Sequence, residues 1–167
     1  MSGETLRCVV LAGATLATGL VAGTFALYAH TIMPALRTTD DRTFVGTFQA
    51  LDRAILNPWF LGGGFIGALM LGIASVVVGS GRPTFPWALA ALASHVVGIV
   101  ITLSVHVPLN DAIKAAGDPA RIADLEEVRR QFNESRWAAW NLVRTLTATS
   151  SFVCSTWALT LVRLTSP

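Results

Sequence analysis

The chain has 167 residues, 53% hydrophobic and only 13% charged, with a net charge of +2 and a mean hydropathy of +0.59. So small a net charge, with no Lys/Arg run interleaved with aromatics, excludes a nucleic-acid partner. The apolar residues fall into four blocks, approximately 6–33, 58–80, 84–107 and 137–164. Each is longer than the roughly 20 residues that cross a hydrocarbon core of about 30 Å, which predicts an integral membrane protein of one domain, 1–167, rather than a soluble core.

The first block is too long for the roughly 7 to 15 residues of a signal-peptide core and is expected to be a retained span. Ala12, Gly19, Gly23 and Ala26 share one face of it, and the same face continued one turn reaches His30. Small residues on one face are how helices approach each other in lipid. The connection that follows, "TTDDRTFVGTFQALDRAILN", carries Phe44, Phe48, Leu51 and Ile55 at helical spacing. It reads as an amphipathic helix capped near Asp40 and lying on the membrane surface or on the bundle.

The second block opens at "NPWF" and is glycine-dense, with Gly63 and Gly67, and Gly64, Ala68 and Gly72, at small-xxx-small spacing. A plain turn, "GSGRPTFP", leads to the third block, where His95, Gly98, Thr102 and His106 share a face. A second amphipathic stretch follows, with Asp118 as expected N-cap, Pro119 at the first helical position, and Ile122, Leu125, Val128 and Phe132 as its apolar stripe. From Ala120 to Ser166 there is no glycine or proline. That helix is therefore expected to run into the fourth span, bending if anywhere at residues 133–135. In the fourth block Trp137, Asn141, Arg144, Ala148, Ser151 and Ser155 form a single stripe.

The predicted fold is all-α: a four-transmembrane-helix bundle with amphipathic helices between spans one and two and between spans three and four. The motifs "HTIMP" and "HVP" precede the two amphipathic helices, a hint of duplication that chance explains about as well. The long connections hold eight Lys and Arg against three on the side of the termini, which favours those connections in the cytoplasm of a bacterial plasma membrane. Cys8 and Cys154 read as packing residues, because one is at a helix end and the other roughly 15 Å inside its span.

Up-down topology brings the end of span one, the start of span two, the end of span three and the start of span four to one side. His30, Asn57, His106, Asn110, Trp137, Asn141 and Arg144 then lie near one end of the bundle. Each has a plainer reading. Trp137 and Trp140 suit an interfacial aromatic belt, Arg144 could snorkel to headgroups, Asn57 could cap the second span, and the histidines could be satisfied helix-interface residues. His95 and His106, roughly 16 Å apart along the axis, cannot share a metal. A metal on His30 and His106 stays open as an alternative, although no carboxylate or thiolate stands at a clearly matching position in the spans.

Four motifs, "IMPALR", "NPWF", "VPLND" and "RWAAWNLVR", stand in order at the helix ends, and together the chain resembles the anthrone-oxygenase-like integral membrane family, long catalogued as a domain of unknown function. The resemblance covers essentially the whole chain. It implies a monooxygenase needing neither metal nor flavin, with O2 as co-substrate and an anthrone-type polyketide oxidised to the anthraquinone. The residues that could serve such chemistry are His106 or His30 as base, Arg144 with Asn141 and Asn110 as anion clamp, and Trp137 as a stacking wall, with Asn57 and Trp140 as further substrate contacts. The competing expectation is a non-catalytic protein that binds or carries a small hydrophobic molecule, or a scaffold for a neighbouring enzyme. The expected partners are the lipid bilayer and a small hydrophobic aromatic ligand, and a homo-oligomer is compatible with the sequence.

Overall fold

The computed structural model describes residues 2–164. Four of its helices are long and apolar enough to cross a bilayer. α1 is Gly3–Arg37, α2 Asp41–Ile55, α3 Trp59–Val78, α4 Phe85–Ala115, α5 Leu125–Phe132 and α6 Glu134–Leu164. No strand occurs among the described residues, so the all-α four-helix bundle is the observed fold. α1 packs on α6 and α3, and α4 packs on α6 and α3, which closes the four spans into a ring. Small residues permit the close approaches. A Cβ at Gly72 would lie 3.2 Å from Leu92, and one at Gly19 would lie 3.1 Å from the Phe152 ring.

Three spans contain π-helical turns, at Tyr28–Ile32, Trp59–Ile66 and Thr102–His106, all toward the same end of the bundle. Two of them have a local cause. Pro34 and Pro108 would each press their ring on the carbonyl four residues back in a regular helix. The wider turn relieves this: Met33 N–H reaches the Tyr28 carbonyl and Val107 N–H the Thr102 carbonyl, each five residues back. "HTIMP" and "HVP" therefore encode one local structure, a π turn followed by a proline, and the helix runs on through the proline in both. α4 consequently continues to Ala115, past the expected end of its span near residue 107. In α3 the π turn needs a glycine, since a Cβ at Gly67 would lie 2.9 Å from the Gly62 carbonyl oxygen.

The caps differ from expectation in one place. Asp40 caps α2 as expected, accepting from Thr43 N–H at 3.1 Å and from the Thr43 hydroxyl at 2.7 Å. Asp118 does not cap a helix of this length. Its carboxylate closes a turn, accepting from Ala120 N–H at 2.9 Å and pairing with Arg121. Asp124 caps α5 instead, accepting from Glu127 N–H at 2.9 Å. Asn133, at φ 54°, breaks α5 from α6 inside the expected window.

At the π-helical end, α2, α5 and the extension of α4 close over the bundle around an aromatic core. Phe48 and Phe132 have ring centroids 4.5 Å apart, and Phe48 meets Trp137 edge-on at 5.6 Å. Gln49 Nε2 donates to the Ile113 carbonyl at 2.8 Å and the Gly117 carbonyl at 3.0 Å, satisfying acceptors that the end of α4 would otherwise orphan. Arg129 ties the same end together, donating to Asp41 at 3.0 Å, Glu134 at 3.2 Å and the Thr39 carbonyl at 2.9 Å.

Candidate active site

The stripe on α6 forms as expected: Trp137, Asn141, Arg144, Ala148, Ser151 and Ser155 are all buried. On α4, His95, Gly98 and His106 are buried on one face. These faces, with α1, the start of α3 and the underside of α2, enclose a cavity of about 200 Å³. Arg144, His106, Trp137 and Asn110 line it, as do Phe25 and Tyr28 from α1.

Arg144 is only 7% exposed. Its Nε donates to Asn141 Oδ1 at 3.0 Å and its Nη1 approaches Thr102 Oγ1 at 3.4 Å. The guanidinium carbon stands 4.0 Å from the Phe25 ring centroid and 5.4 Å from that of Trp137. Asn141 Nδ2 donates to the Phe25 carbonyl at 3.2 Å, so the amide fixes the guanidinium and is itself fixed. Among the described residues, no carboxylate stands within ion-pair reach of Arg144. A cation taken out of water without a counter-ion is costly. It faces a cavity that an anion can occupy.

His106 is 1% exposed and packs edge-on against Trp137, ring centroids 4.9 Å apart. Neither ring nitrogen makes a full hydrogen bond; the backbones of Ile101 and Trp137 are its polar neighbours without hydrogen-bond geometry. A neutral imidazole in this state is an unengaged acceptor. From Trp137 a chain of hydrogen bonds leads away: Nε1–H donates to Asn110 Oδ1 at 2.8 Å, and Asn110 Nδ2 donates to Asp52 Oδ1 at 2.6 Å. Asp52 Oδ2 pairs with Lys114 at 2.8 Å, and Lys114 also meets Asp111 at 3.1 Å.

Three expected contacts are not brought to the site. His30 is exposed, bonded through Nδ1 to its neighbour Thr31. The buried residues of α1 are Leu11, Ala14, Ala17, Thr18, Val21, Ala22, Phe25 and Tyr28, whereas Gly23 is exposed. The π turn then puts Tyr28 and Met33, five apart, on the inner side and leaves His30 outside. His30 is thus exposed whereas His106 is buried. Asn57 is exposed and acts as a cap, its Oδ1 accepting from Phe60 N–H at 2.9 Å. Trp140, 40% exposed, faces outward and does not line the cavity.

Sequence reasoning missed Phe25, Tyr28, Asp52 and Lys114. Asp52 had a signal: it falls within the apolar stripe of α2, one turn from Phe48, where a carboxylate must have a buried partner. Lys114 continues the row His106, Asn110 once α4 is known to pass Pro108.

The bundle, with four helices long and apolar enough to span a membrane, encloses a largely apolar pocket around an arginine that has no carboxylate partner among the described residues. The sequence matches the anthrone oxygenase family over residues 56–154, and the chain belongs to that family. The match spans His106, Asn110, Trp137, Asn141 and Arg144, and begins after Asp52. No curated protein and no solved structure matches the chain.

Proposed function

We propose that this protein is a membrane-embedded oxygenase that oxidises a hydrophobic, anthrone-like aromatic substrate with O2, using the substrate's own electrons rather than a cofactor. One observation carries the reading: a buried arginine without a carboxylate partner shares an apolar cavity with a buried histidine whose ring nitrogens are unengaged. An anthrone placed there has its acidic CH2 carbon toward His106 and its carbonyl oxygen toward Arg144. His106 takes the proton, and the negative charge moves to the oxygen, where the guanidinium and its cation-polarised surroundings stabilise it. Trp137 and Phe25 hold the ring plane.

The carbanion carbon passes one electron to O2, and the radical pair combines to a C–O bond, giving a hydroperoxide at that carbon after protonation. Loss of water from the hydroperoxide breaks the O–O bond and the remaining C–H bond. The product is the quinone, with one oxygen atom in the new carbonyl and one in water. Four electrons leave the CH2 carbon and four reach O2. Burial of the cavity keeps bulk water from the carbanion.

The test is O2 uptake by the protein in nanodiscs with anthrone, corrected for spontaneous autoxidation, beside Arg144→Leu and His106→Phe. Uptake above background that both substitutions abolish is expected. Uptake no faster than autoxidation, from a folded wild-type protein, would sink the oxygenase reading and leave a binding protein.

A further inference from the structure

The residues lining the cavity are buried or half-buried except at three positions. Leu56 is 51% and Val107 39% exposed, and the Asp111 side chain is 64% exposed. These three form the mouth. Val107 and Asp111 are one turn apart on α4, about 6 Å along its axis, with Val107 the deeper in the bundle. Leu56 forms the other lip, where α2 gives way to α3.

The rest of the wall is shut. Above, the packed rings of Phe48, Phe132 and Trp137 and the Asp52–Lys114 pair form a roof toward water. Below, α3 and α4 are joined where His95 Nε2–H donates to the Phe65 carbonyl at 3.1 Å and the two rings meet at 5.7 Å. Beyond that joint the π-helical half of α3 packs mainly on α1 rather than on α4. The two helices therefore fork above His95, and the fork opens between Leu56 and Val107.

We propose that the ligand reaches the cavity from the bilayer through this fork, and that it is a flat, uncharged, membrane-partitioned aromatic molecule which becomes an anion only once inside. The deeper lip is apolar, so a neutral ring passes it without shedding polar hydration. The water-side lip carries the Asp111 carboxylate with Asp52 behind it, two negative charges against the single Lys114 ammonium. An anion approaching from water is repelled there, while the cation that would hold it, Arg144, lies inside. The proposal rests on the cavity being the ligand site of the reading above, and adds the path and the charge state of the ligand.

The experiment uses chrysazin, a dihydroxyanthraquinone that does not turn over, equilibrated with the full-length protein in nanodiscs. Its own fluorescence reports Kd by titration and exchange by temperature-jump relaxation. With Leu56→Trp or Val107→Trp, relaxation slows about tenfold while Kd moves less than about twofold, because a bulky lip raises the barrier for entering and leaving alike. Val107→Ala widens the lip and quickens exchange, and Asp111→Trp leaves it unchanged. Slowing by Asp111→Trp alone, or exchange indifferent to every lip substitution, overturns the bilayer path and leaves the ligand site standing. Absence of chrysazin binding to wild type takes down the ligand-site reading and the path with it.

Discussion

Arg144→Leu separates a functional from a structural arginine. The substitution removes one charge-assisted hydrogen bond to Asn141 at 3.0 Å, a weak one to Thr102 at 3.4 Å, and the stacking over Phe25 at 4.0 Å. The bond and the stacking are worth roughly 2 kcal/mol each, and Asn141 Oδ1 loses its donor. Against this, the desolvation penalty of an unpaired buried cation, several kcal/mol, disappears. The two sides nearly cancel, so folding stability should stay within about 1–2 kcal/mol of wild type, or rise. Ligand binding should respond quite differently. A phenolate held by the guanidinium loses a charged hydrogen bond worth ~2–3 kcal/mol, so Kd weakens roughly 30- to 150-fold, while the methyl ether of the same ligand loses little. The assays are melting in detergent by circular dichroism and titration with chrysazin, in its phenolate form, beside its dimethyl ether. Destabilisation of about 3–5 kcal/mol, the signature of a broken buried ion pair, would refute the reasoning. Equal weakening of both ligands would refute it too.

Further outcomes follow from single contacts. His106→Phe preserves the edge-on packing against Trp137 and breaks no complete hydrogen bond, so melting shifts little while O2 uptake falls by about 10²–10⁴, the usual worth of a general base. Asn133 holds the left-handed conformation at φ 54° and its Oδ1 accepts from Arg136 N–H at 3.1 Å; Asn133→Ala should cost about 1–2 kcal/mol of thermal stability and Asn133→Gly less, since glycine adopts that φ freely. Gln49→Leu strands the Ile113 and Gly117 carbonyls, and a loss of about 1–3 kcal/mol is expected in the same melts. Outside the membrane spans, the Thr43 hydroxyl and N–H hold the Asp40 carboxyl below its usual range. A carboxyl lowered in the folded state contributes stability above its unfolded value and loses it as pH falls through the folded one. Asp40→Ala should therefore be less stable than wild type at neutral pH, with the gap closing on acidification; a gap independent of pH would contradict the cap.

Hydropathy alone determined four spans, and periodicity alone determined the inner faces of α4 and α6. A polar group in lipid has nowhere to go but inward, so the row from Trp137 to Ser155 could be read without a partner in view. Asn133 as the break and Asp40 as a cap were legible too, because caps and breaks depend on neighbours in sequence. The inner face of α1 was not. Small residues there suggested close packing, and Gly19 does meet Phe152, but Leu11, Val21 and Phe25 are buried as well and Gly23 is not, since which face turns inward depends on the shape of the neighbouring helices. The π turns were also hidden. They answer the prolines that follow them, yet their consequence, Tyr28 inside and His30 outside, is a rotation of side chains that a constant helical period cannot represent. Asp52 and Lys114 are separated by 62 positions, and only the folding of α2 over the extension of α4 makes them a pair. Chemistry that depends on which groups share a helix face was in the sequence; chemistry that depends on how one helix lies on another was decided by the tertiary structure.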